Sequence, residues 1–493
     1  MTTKKQSFDH GLDRLASLLW GLALAAIPVT SFPCFPFFGQ ETQVRPLSIY
    51  PMLVLFPILV IQILRKKIKL WNESFTPLIV FIFIVLLTSA AGAFFAPISI
   101  RGQDYWERNL RAWISVAVGL MFLLYAIWMN RSEDQLRSSI KWLYIGLILS
   151  FLWGGIQILS VTTNWIRLDT IDQWQQHFSI VGFFNHGWRI FGFALEPSWL
   201  AGQLATLYLP WIFATLLTGY RVSRYRWLEF SLLGMAGILL IFTFSRGGIA
   251  LAILAAILTA LLTGREGLVR LWQWWTKPLK RDIGLPNRRW REWAPRLAAL
   301  IFLIAILASS MFVLSRSDYF AQLWRSRKTD LIGYVVDIYA GPRLAYAWAG
   351  LKAFGEHPWT GVGLGASGFY MFRFLPDWSR TLIPEIAQLL NPQSSIFPNP
   401  KNLYTRLLAE TGIFGFAAFL TFYFYTLGKV HALLLHIREE YRFLGVASLF
   451  TWIALILYYF TQDSFAMPNM WINVGILLGM ADSIPKSKAN IQA

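Results

Sequence analysis

The sequence predicts an all-α membrane protein with about twelve transmembrane helices, and its composition and hydropathy carry that prediction. Of its 493 residues, 56% are hydrophobic and only 14% are charged, and the mean hydropathy is +0.49. Water-soluble domains average about 25% charged residues, so this composition excludes an ordinary soluble globule. A run of about 17–25 apolar residues is long enough to cross a bilayer as a helix. Each such run is therefore a candidate span.

Twelve apolar runs divide the chain. The first five lie at residues 16–32, 50–64, 77–96, 113–129 and 143–161. The other seven lie at residues 199–217, 228–244, 249–262, 297–314, 413–435, 443–460 and 471–481. The predicted organisation is nine spans with an outer loop at 162–198, then a large, partly helical loop, then spans 10–12 with a tail, covering residues 1–314, 315–410 and 411–493.

The net charge of +18 is distributed unevenly across these connections. With a cytoplasmic N-terminus, 27 of the 44 Lys and Arg residues fall on the cytoplasmic side, and most of the others lie in one long loop. Short loops rich in Lys and Arg stay inside, so both termini are predicted to be cytoplasmic. The basic, tryptophan-rich block 265–296 then indicates contact with anionic lipid headgroups, and no nucleic-acid partner is expected. The single cysteine, Cys34, excludes an intrachain disulfide.

Two loops are long enough to hold a functional site, namely 162–198 and 315–410. The second contains a predicted amphipathic helix over 342–354, whose apolar positions are Leu344, Trp348, Leu351 and Phe354. Near its end, Asn399 is expected to cap a helix that starts at Pro400, and Gly412 is expected to break that helix before the next span.

Three motifs occur in a fixed order along the chain. "SRGG" opens a span at 245–248, Arg343 begins an amphipathic helix that is followed by "HPWTGVGLG" at 357–365, and "NLYTRLLAETGIFG" at 402–415 leads into a span. In their order and spacing these motifs resemble the O-antigen ligase family, which includes Wzy-type polysaccharide polymerases. The resemblance extends over about residues 196–481.

The resemblance implies an enzyme of the bacterial inner membrane with its active site facing the periplasm. Such an enzyme transfers a glycan from undecaprenyl diphosphate to a saccharide acceptor, either by ligation to a lipid core or by chain polymerisation. It implies no cofactor and no metal. The sequence accordingly has no D-x-D pair, no H-E-x-x-H motif and no glycine-rich nucleotide loop.

Arginines are the predicted diphosphate-binding and catalytic groups. A guanidinium binds phosphate oxygens through two parallel hydrogen bonds and stays charged when desolvated. Arg246 is the first candidate, with Gly247 and Gly248 permitting a tight turn or close phosphate approach. Arg343 is the second and matches the loop arginine of the family. The competing interpretation is that both side chains contact lipid headgroups at the membrane surface.

The general base is less clear, because the family histidine is replaced here by Lys401. Lys401, followed by Asn402, is expected to bind phosphate, since an ordinary lysine is protonated. Glu196, in "FALEPSWLAG", is the preferred carboxylate, although it could simply complement a helix dipole. Glu410 is the alternative, but Arg406 lies four residues earlier on the same helical face. Arg189 is added as a substrate-binding residue.

Other groups in the outer loop are further candidates for the site. His177 and His186 are possible bases, and four tryptophans could form a sugar-stacking platform, although interfacial tryptophan is common in membrane proteins; they are Trp165, Trp174, Trp188 and Trp199. Two other function classes stay open, a transporter of a small anion such as bicarbonate and a non-catalytic component of polysaccharide assembly. A transporter is expected to carry ionisable residues at mid-span, whereas these spans are nearly free of charge.

Overall fold

The protein is helical throughout the part of the chain that its computed structural model describes. That part comprises residues 2–34, 42–69, 73–96, 99–183, 189–264, 287–394 and 396–484, with a few positions between 269 and 276. Within it, the only β-type pairing consists of three isolated bridges between single residues. The predicted all-α class is confirmed.

Helices coincide with all twelve predicted spans. Up to the large loop they are α1 (Thr2–Ala25), α2 (Ile49–Leu64), α3 (Thr76–Gly92), α4 (Tyr105–Met129), α5 (Glu133–Thr163), α6 (Leu168–Gln175), α7 (Pro197–Gln203), α8 (Leu209–Thr218), α9 (Arg226–Phe242), α10 (Arg246–Thr263) and α11 (Asn287–Ser315). Among the described residues, seven helical segments are long and apolar enough to cross a membrane; they begin at residues 73, 105, 133, 197, 246, 403 and 439. The count of twelve spans stays a prediction.

Among the described residues, the loop between residues 315 and 402 contains six helices, and three helices follow it. The loop helices are α12 (Asp318–Arg325), α13 (Leu331–Asp337), α14 (Gly341–Glu356), α15 (Ser367–Phe374), α16 (Asp377–Leu382) and α17 (Pro384–Leu390). The chain closes with α18 (Leu403–Leu434), α19 (Glu439–Tyr458) and α20 (Ile472–Ser483). In the bundle, α18 packs on α3, α20 on α4 and α10 on α19.

Helices α7 and α8 form one rod through a π-helical turn at Leu204–Tyr208. Pro210 has no N–H to donate to the carbonyl of Thr206, so that carbonyl needs another partner. The side-chain amide of Asn473 donates to it at 2.9 Å and to the carbonyl of Leu207 at 3.2 Å. The rod is thereby fixed to α20, and its first turn follows Glu196 at one end of the bundle.

The chain reversals define two ends of the bundle. One end carries the α9–α10 turn at 243–245, the start of α7 and the large loop. The α8–α9 connection lies at the opposite end, where the Tyr220 hydroxyl donates to the Glu133 carboxylate at 2.7 Å. The α4–α5 connection lies at that end as well, because α5 starts at Glu133 and runs to the outer loop.

The predicted amphipathic helix at 342–354 is confirmed as α14, but it buries the face opposite to its large apolar residues. Pro342 lies in its first turn, as expected. The predicted apolar residues Leu344, Trp348 and Leu351 are 43–49% exposed. The buried face instead consists of small residues with one tyrosine, and it packs against α18 and α15; these residues are Ala345, Tyr346, Ala349, Gly350 and Ala353.

The predicted break at Gly412 is confirmed and joins two of the sequence motifs. Gly412 has φ +62°, and a Cβ there would collide with the carbonyl of Trp359. Because the break frees backbone groups of α18, the 357–365 segment can bond to them. The N–H of Val362 donates to the Ala409 carbonyl, and the N–H of Ile413 donates to the Pro358 carbonyl, both at 2.9 Å.

The start of this helix differs from the prediction. Asn399 and Pro400 lie outside the helix, and α18 begins at Leu403 with Asn402 as its N-cap. The prediction was wrong by three residues because two asparagines in "NPKN" both fit a capping position. Lys401, with φ +51°, reverses the chain between them.

Candidate functional site

The turn between α9 and α10 places Arg246 at the start of a helix. Ser245 is the N-cap of α10, and its hydroxyl accepts from the N–H of Gly248 at 3.3 Å. The left-handed residue of the turn is Phe244, with φ +48°, whereas Gly247 and Gly248 are helical. Of the two roles predicted for these glycines, the tight turn is therefore wrong, and close phosphate approach stays a prediction.

Gly248 has a packing role. A Cβ on it would collide with the side chain of Ala201, so its absence lets α10 approach α7 closely. Gly247 is open, because a Cβ there would have only the Thr461 methyl nearby, at 4.0 Å. The two glycines thus bring the start of α10 close to the start of α7 and to Thr461.

The Arg246 guanidinium is only partly satisfied. Its Nη1 donates to the carbonyl of Ile338 at 2.6 Å, and its Cζ lies 4.1 Å from the ring centroid of Tyr319. Its Nε and Nη2 are buried and have no hydrogen-bond partner in the described part of the chain. Buried polar groups are nearly always paired in native proteins, so two unpaired donors on one side chain are unusual.

Arg189 contacts the same aromatic ring from the outer loop. Its Nε donates to the carbonyl of Thr243 at 2.9 Å, and its Cζ lies 4.5 Å from the Tyr319 centroid. Burial lowers the pKa of the Arg189 guanidinium below its ordinary value; the charges of Arg246 and Arg343 also lower it, while Tyr319 and Glu196 oppose the change. Arg189 therefore lies within electrostatic reach of both other arginines.

Arg343, at the start of α14, completes the group. Its Nη1 donates to the carbonyl of Thr461 at 2.9 Å. Because Thr461 also lies against Gly247, Arg343 is placed beside the first turn of α10. We call Arg189, Arg246 and Arg343 the arginine cluster. Its members come from the outer loop, a span and the large loop.

Glu196 lies next to the arginine cluster, as the N-cap of α7. Its Oε2 accepts from the Ser198 hydroxyl at 3.0 Å, and the side chain is half-buried. No ion pair to Glu196 is present among the described residues, although Arg189 lies within electrostatic reach.

Lys401 is engaged elsewhere. Its ammonium pairs with the Glu385 carboxylate and lies 4.8 Å from the ring centroid of Tyr346. Burial and then the negative charge of Glu385 raise the pKa of the Tyr346 hydroxyl. The amide of Asn402 accepts from the N–H groups of Tyr404 and Thr405 and donates to the Phe460 carbonyl. The structure therefore gives both residues structural partners rather than contacts with the arginine cluster.

The expected pairing of Arg406 with Glu410 is present. Their side chains meet at 3.0 Å and are 12% and 2% exposed. Glu410 also accepts from the Ser367 hydroxyl at 2.8 Å, and Arg406 donates to the Asp463 carbonyl at 2.7 Å. Both carboxylate oxygens of Glu410 thus have protein partners, one of which is the expected Arg406.

Two further residues were missed by the sequence interpretation. The ring of Tyr319 makes cation–π contacts with Arg189 and Arg246. No local pattern in the sequence distinguishes Tyr319 from the other aromatic residues of the loop. Asp463 is 6% exposed, and its carboxylate accepts from the N–H of Lys401 at 3.1 Å. Burial raises its pKa; Glu410 also raises it, while Arg406 and Lys401 lower it. Its signal was an acidic residue in the short connection "TQDS" between two apolar spans.

The weaker outer-loop candidates are dispersed. Trp199 is 9% exposed and packs in the hydrophobic core, so its ring does not lie on an open surface. Trp165 and Trp174 are 77% and 43% exposed. His177 follows α6, and its Nδ1 lies 3.0 Å from the carbonyl oxygen of Gln173. His186 and Trp188 lie outside the described residues.

The arrangement is suited to an anion. Three guanidinium groups converge on one region, with donors left over on Arg246 and a carboxylate at the edge. Among the residues that the structure describes, no three His, Cys, Asp or Glu side chains form a group that could hold a metal ion. The chemistry that these side chains themselves offer is electrostatic binding of a phosphate-like group, with one proton acceptor beside it.

Comparison with known proteins identifies the central part of the chain. Residues 230–420 match the family model described as O-antigen ligase. This range includes Arg246, Tyr319 and Arg343, whereas Arg189 and Glu196 precede it. No curated protein matches the chain. The resemblance inferred from the three motifs is confirmed: residues 230–420 of this membrane protein are similar to the O-antigen ligase family.

Proposed function

We propose that this protein is a glycosyltransferase that moves a glycan from undecaprenyl diphosphate to a saccharide acceptor at the periplasmic face of the inner membrane. One observation carries the proposal: Arg246 keeps two buried N–H donors, Nε and Nη2, without a partner in the described part of the chain. These two atoms lie on one edge of a guanidinium, the edge that binds two oxygens of a phosphate. A lipid diphosphate supplies such oxygens at the membrane surface.

The proposed reaction is a displacement at the anomeric carbon of the donor sugar. The acceptor hydroxyl oxygen forms the new bond to that carbon, and the bond from the carbon to the diphosphate oxygen breaks. The electron pair of the broken bond stays on the leaving undecaprenyl diphosphate, which gains one negative charge. The hydroxyl proton passes to a carboxylate. No other reactant is needed.

In this step the arginine cluster stabilises the charge that grows on the leaving group. Fixed donors that meet developing charge lower the barrier because they need no reorganisation when the reaction occurs. Arg246 is proposed to bind the diphosphate in two-pronged fashion, with Arg343 and Arg189 adding positive charge beside it. The three guanidinium charges allow the reaction to proceed without a metal ion, as the family resemblance also implies.

Glu196 is the proposed proton acceptor. It is half-buried beside Arg189 and keeps one oxygen, Oε1, for which no hydrogen bond is seen within the described residues. Lys401 and Asn402, expected from the sequence to bind phosphate, are left out of this proposal because their side chains have structural partners.

The test replaces Arg246, Arg343 and Glu196 singly by alanine in cells that lack the chromosomal copy, and scores polymer length and carrier attachment of the surface glycan. Short unpolymerised repeats would assign a polymerase, whereas long chains left on the carrier lipid would assign a ligase. Full surface glycan in a deletion strain that loses uptake of a small anion would overturn the proposal in favour of a transporter.

A further inference from the structure

A second polar cavity lies at the end of the bundle opposite to the arginine cluster. It has a volume of about 340 Å³ and is bounded by α1, the end of α2 and the α4–α5 connection. Cavities that hold small ligands in proteins start at about 300 Å³. Its size is therefore sufficient for a headgroup-sized molecule.

The cavity lining carries a net positive charge. Lys67 and Arg131 face one acidic residue, Asp13. The ammonium of Lys67 lies 3.3 Å from the Asp13 carboxylate, which also accepts from the Gln62 amide at 2.9 Å. Because Asp13 is satisfied by these two partners, Arg131 contributes the charge that is left over.

Arg131 has donors to spare. One of its N–H groups donates to the carbonyl of Lys69 at 3.3 Å, and a guanidinium has five. Burial lowers the pKa of Arg131, so the side chain bears a desolvation cost that a nearby anion would offset. The charge is thus held where it can reach into the cavity.

An unpaired donor in the same lining points to a ligand independently. Trp128 lines the cavity, and its indole N–H is buried with no hydrogen-bond partner in the described part of the chain. By contrast, the indole N–H of Trp20 in the same lining donates to the Ser139 hydroxyl at 2.9 Å. An acceptor in the cavity would satisfy Trp128.

We propose that this cavity binds the phosphate group of an anionic phospholipid. Arg131, Lys67 and the Trp128 indole supply donors only, which matches a phosphate, a group with acceptor oxygens. Basic cavities between spans at a membrane surface are suited to lipid headgroups. The site is separate from the proposed glycosyl transfer, since it lies at the other end of the bundle and shares no residue with the arginine cluster.

The proposal makes two substitutions act in opposite directions. Arg131→Gln removes one positive charge, and we expect the affinity for phosphatidylglycerol to fall by about fivefold, the effect of roughly one basic residue near a lipid headgroup. Asp13→Asn removes the one negative charge while keeping its shape, and the affinity is expected to rise by about the same factor. A purely structural role of either residue would not produce this pair of results.

The measurement is a titration of the purified full-length protein with dihexanoyl phosphatidylglycerol, read by native mass spectrometry and by the melting temperature. Dihexanoyl phosphatidylcholine and sodium phosphate are titrated in parallel. Arg224→Gln is the matched control, because Arg224 lies in the α8–α9 connection at the same end of the bundle and outside the cavity lining. The affinity of the Arg224→Gln variant for phosphatidylglycerol is expected to equal that of the unmodified protein.

Two outcomes would overturn the proposal. Equal phosphatidylglycerol affinity in the unmodified protein, Asp13→Asn and Arg131→Gln would show that the cavity does not bind the headgroup. The second outcome is that sodium phosphate binds, more weakly to Arg131→Gln and more tightly to Asp13→Asn, while phosphatidylglycerol does not bind. That result would assign the site to free phosphate instead of lipid. Should Arg131→Gln fail to fold, Asp13→Asn still decides the question.

Discussion

Arg246 gives the sharpest test of the proposed chemistry. Replacing it by alanine removes the two unpaired donors, Nε and Nη2, together with the bond to the Ile338 carbonyl. A hydrogen bond that involves a charged group contributes about 1.5–3 kcal/mol. Two such bonds to the leaving diphosphate therefore amount to about 3–6 kcal/mol, and each 1.36 kcal/mol is about a tenfold change in rate. We expect glycan transfer to fall by about 10²–10⁴-fold.

Arg246→Lys separates charge from geometry. A lysine keeps the positive charge but cannot bind two oxygens side by side while also donating to Ile338. We expect this variant to lose one of the two bonds and about tenfold or more in rate. It also serves as the second variant if the alanine substitution impairs folding.

The assay is transfer of a lipid-linked glycan by purified protein, followed by gel separation of the products. Arg373→Ala is the matched control, because Arg373 lies in the same large loop and makes an exposed ion pair with Glu356 at 2.8 Å, with its side chain 60% exposed. Such pairs contribute little, so transfer is expected to stay within about twofold.

The reasoning would be refuted by a folded Arg246→Ala protein that transfers glycan within about threefold of the unmodified rate. Folding is judged by the melting temperature and by elution as a single species. In that case the two unpaired donors would have another role, and the anion-binding interpretation of the arginine cluster would fail.

Three further substitutions test the proposed site and the packing of α18. Tyr319→Leu should lower the rate of glycan transfer by about five- to tenfold, because the ring that orients two guanidinium groups is lost. Tyr319→Phe keeps the ring and should keep most of the activity. Equal transfer rates in the two variants would contradict this prediction. Glu196→Gln should lower transfer by about 10²–10⁴-fold if Glu196 accepts the proton, and unchanged kcat would remove it as the base. Gly412→Ala should destabilise the protein by more than about 2 kcal/mol through its positive φ and the collision with the 357–365 segment, whereas Gly355→Ala, a helical position with open space around it, should be neutral or slightly stabilising by thermal unfolding.

The pH dependence of stability follows from Asp463. Burial raises the pKa of the Asp463 carboxyl in the folded protein above its ordinary value of about 3.9. The protonated carboxyl therefore contributes stability that is fully present below about pH 3.9. That stability is lost as the pH rises through the raised pKa. Asp463→Asn removes this loss while keeping an acceptor for the N–H of Lys401. The melting temperature of the variant, relative to the unmodified protein, should therefore increase between about pH 4 and about pH 8. A constant difference across that range would show that Asp463 does not titrate differently in the native state.

Features that depend on neighbours in the chain could be predicted from the sequence. Helices occur at all twelve apolar runs, because hydropathy over a run of residues is a local property. Arg246 lies at the start of a helix, Pro342 opens α14, and Gly412 interrupts α18, since capping, proline and glycine effects act within a turn. The i, i+4 spacing of Arg406 and Glu410 likewise indicated their ion pair.

Only the tertiary structure decided which distant segments of the chain come into contact. No local pattern indicates that Tyr319 holds Arg189 and Arg246, or that Arg343 reaches Thr461 across 118 positions of sequence. The partner of Lys401 is Glu385, and no feature of the local sequence indicates that ion pair. The sequence by itself determined a helical membrane protein and a resemblance to the O-antigen ligase family, which the match over residues 230–420 supports. Which of them meet depends on packing between segments, and packing is a property of the whole bundle.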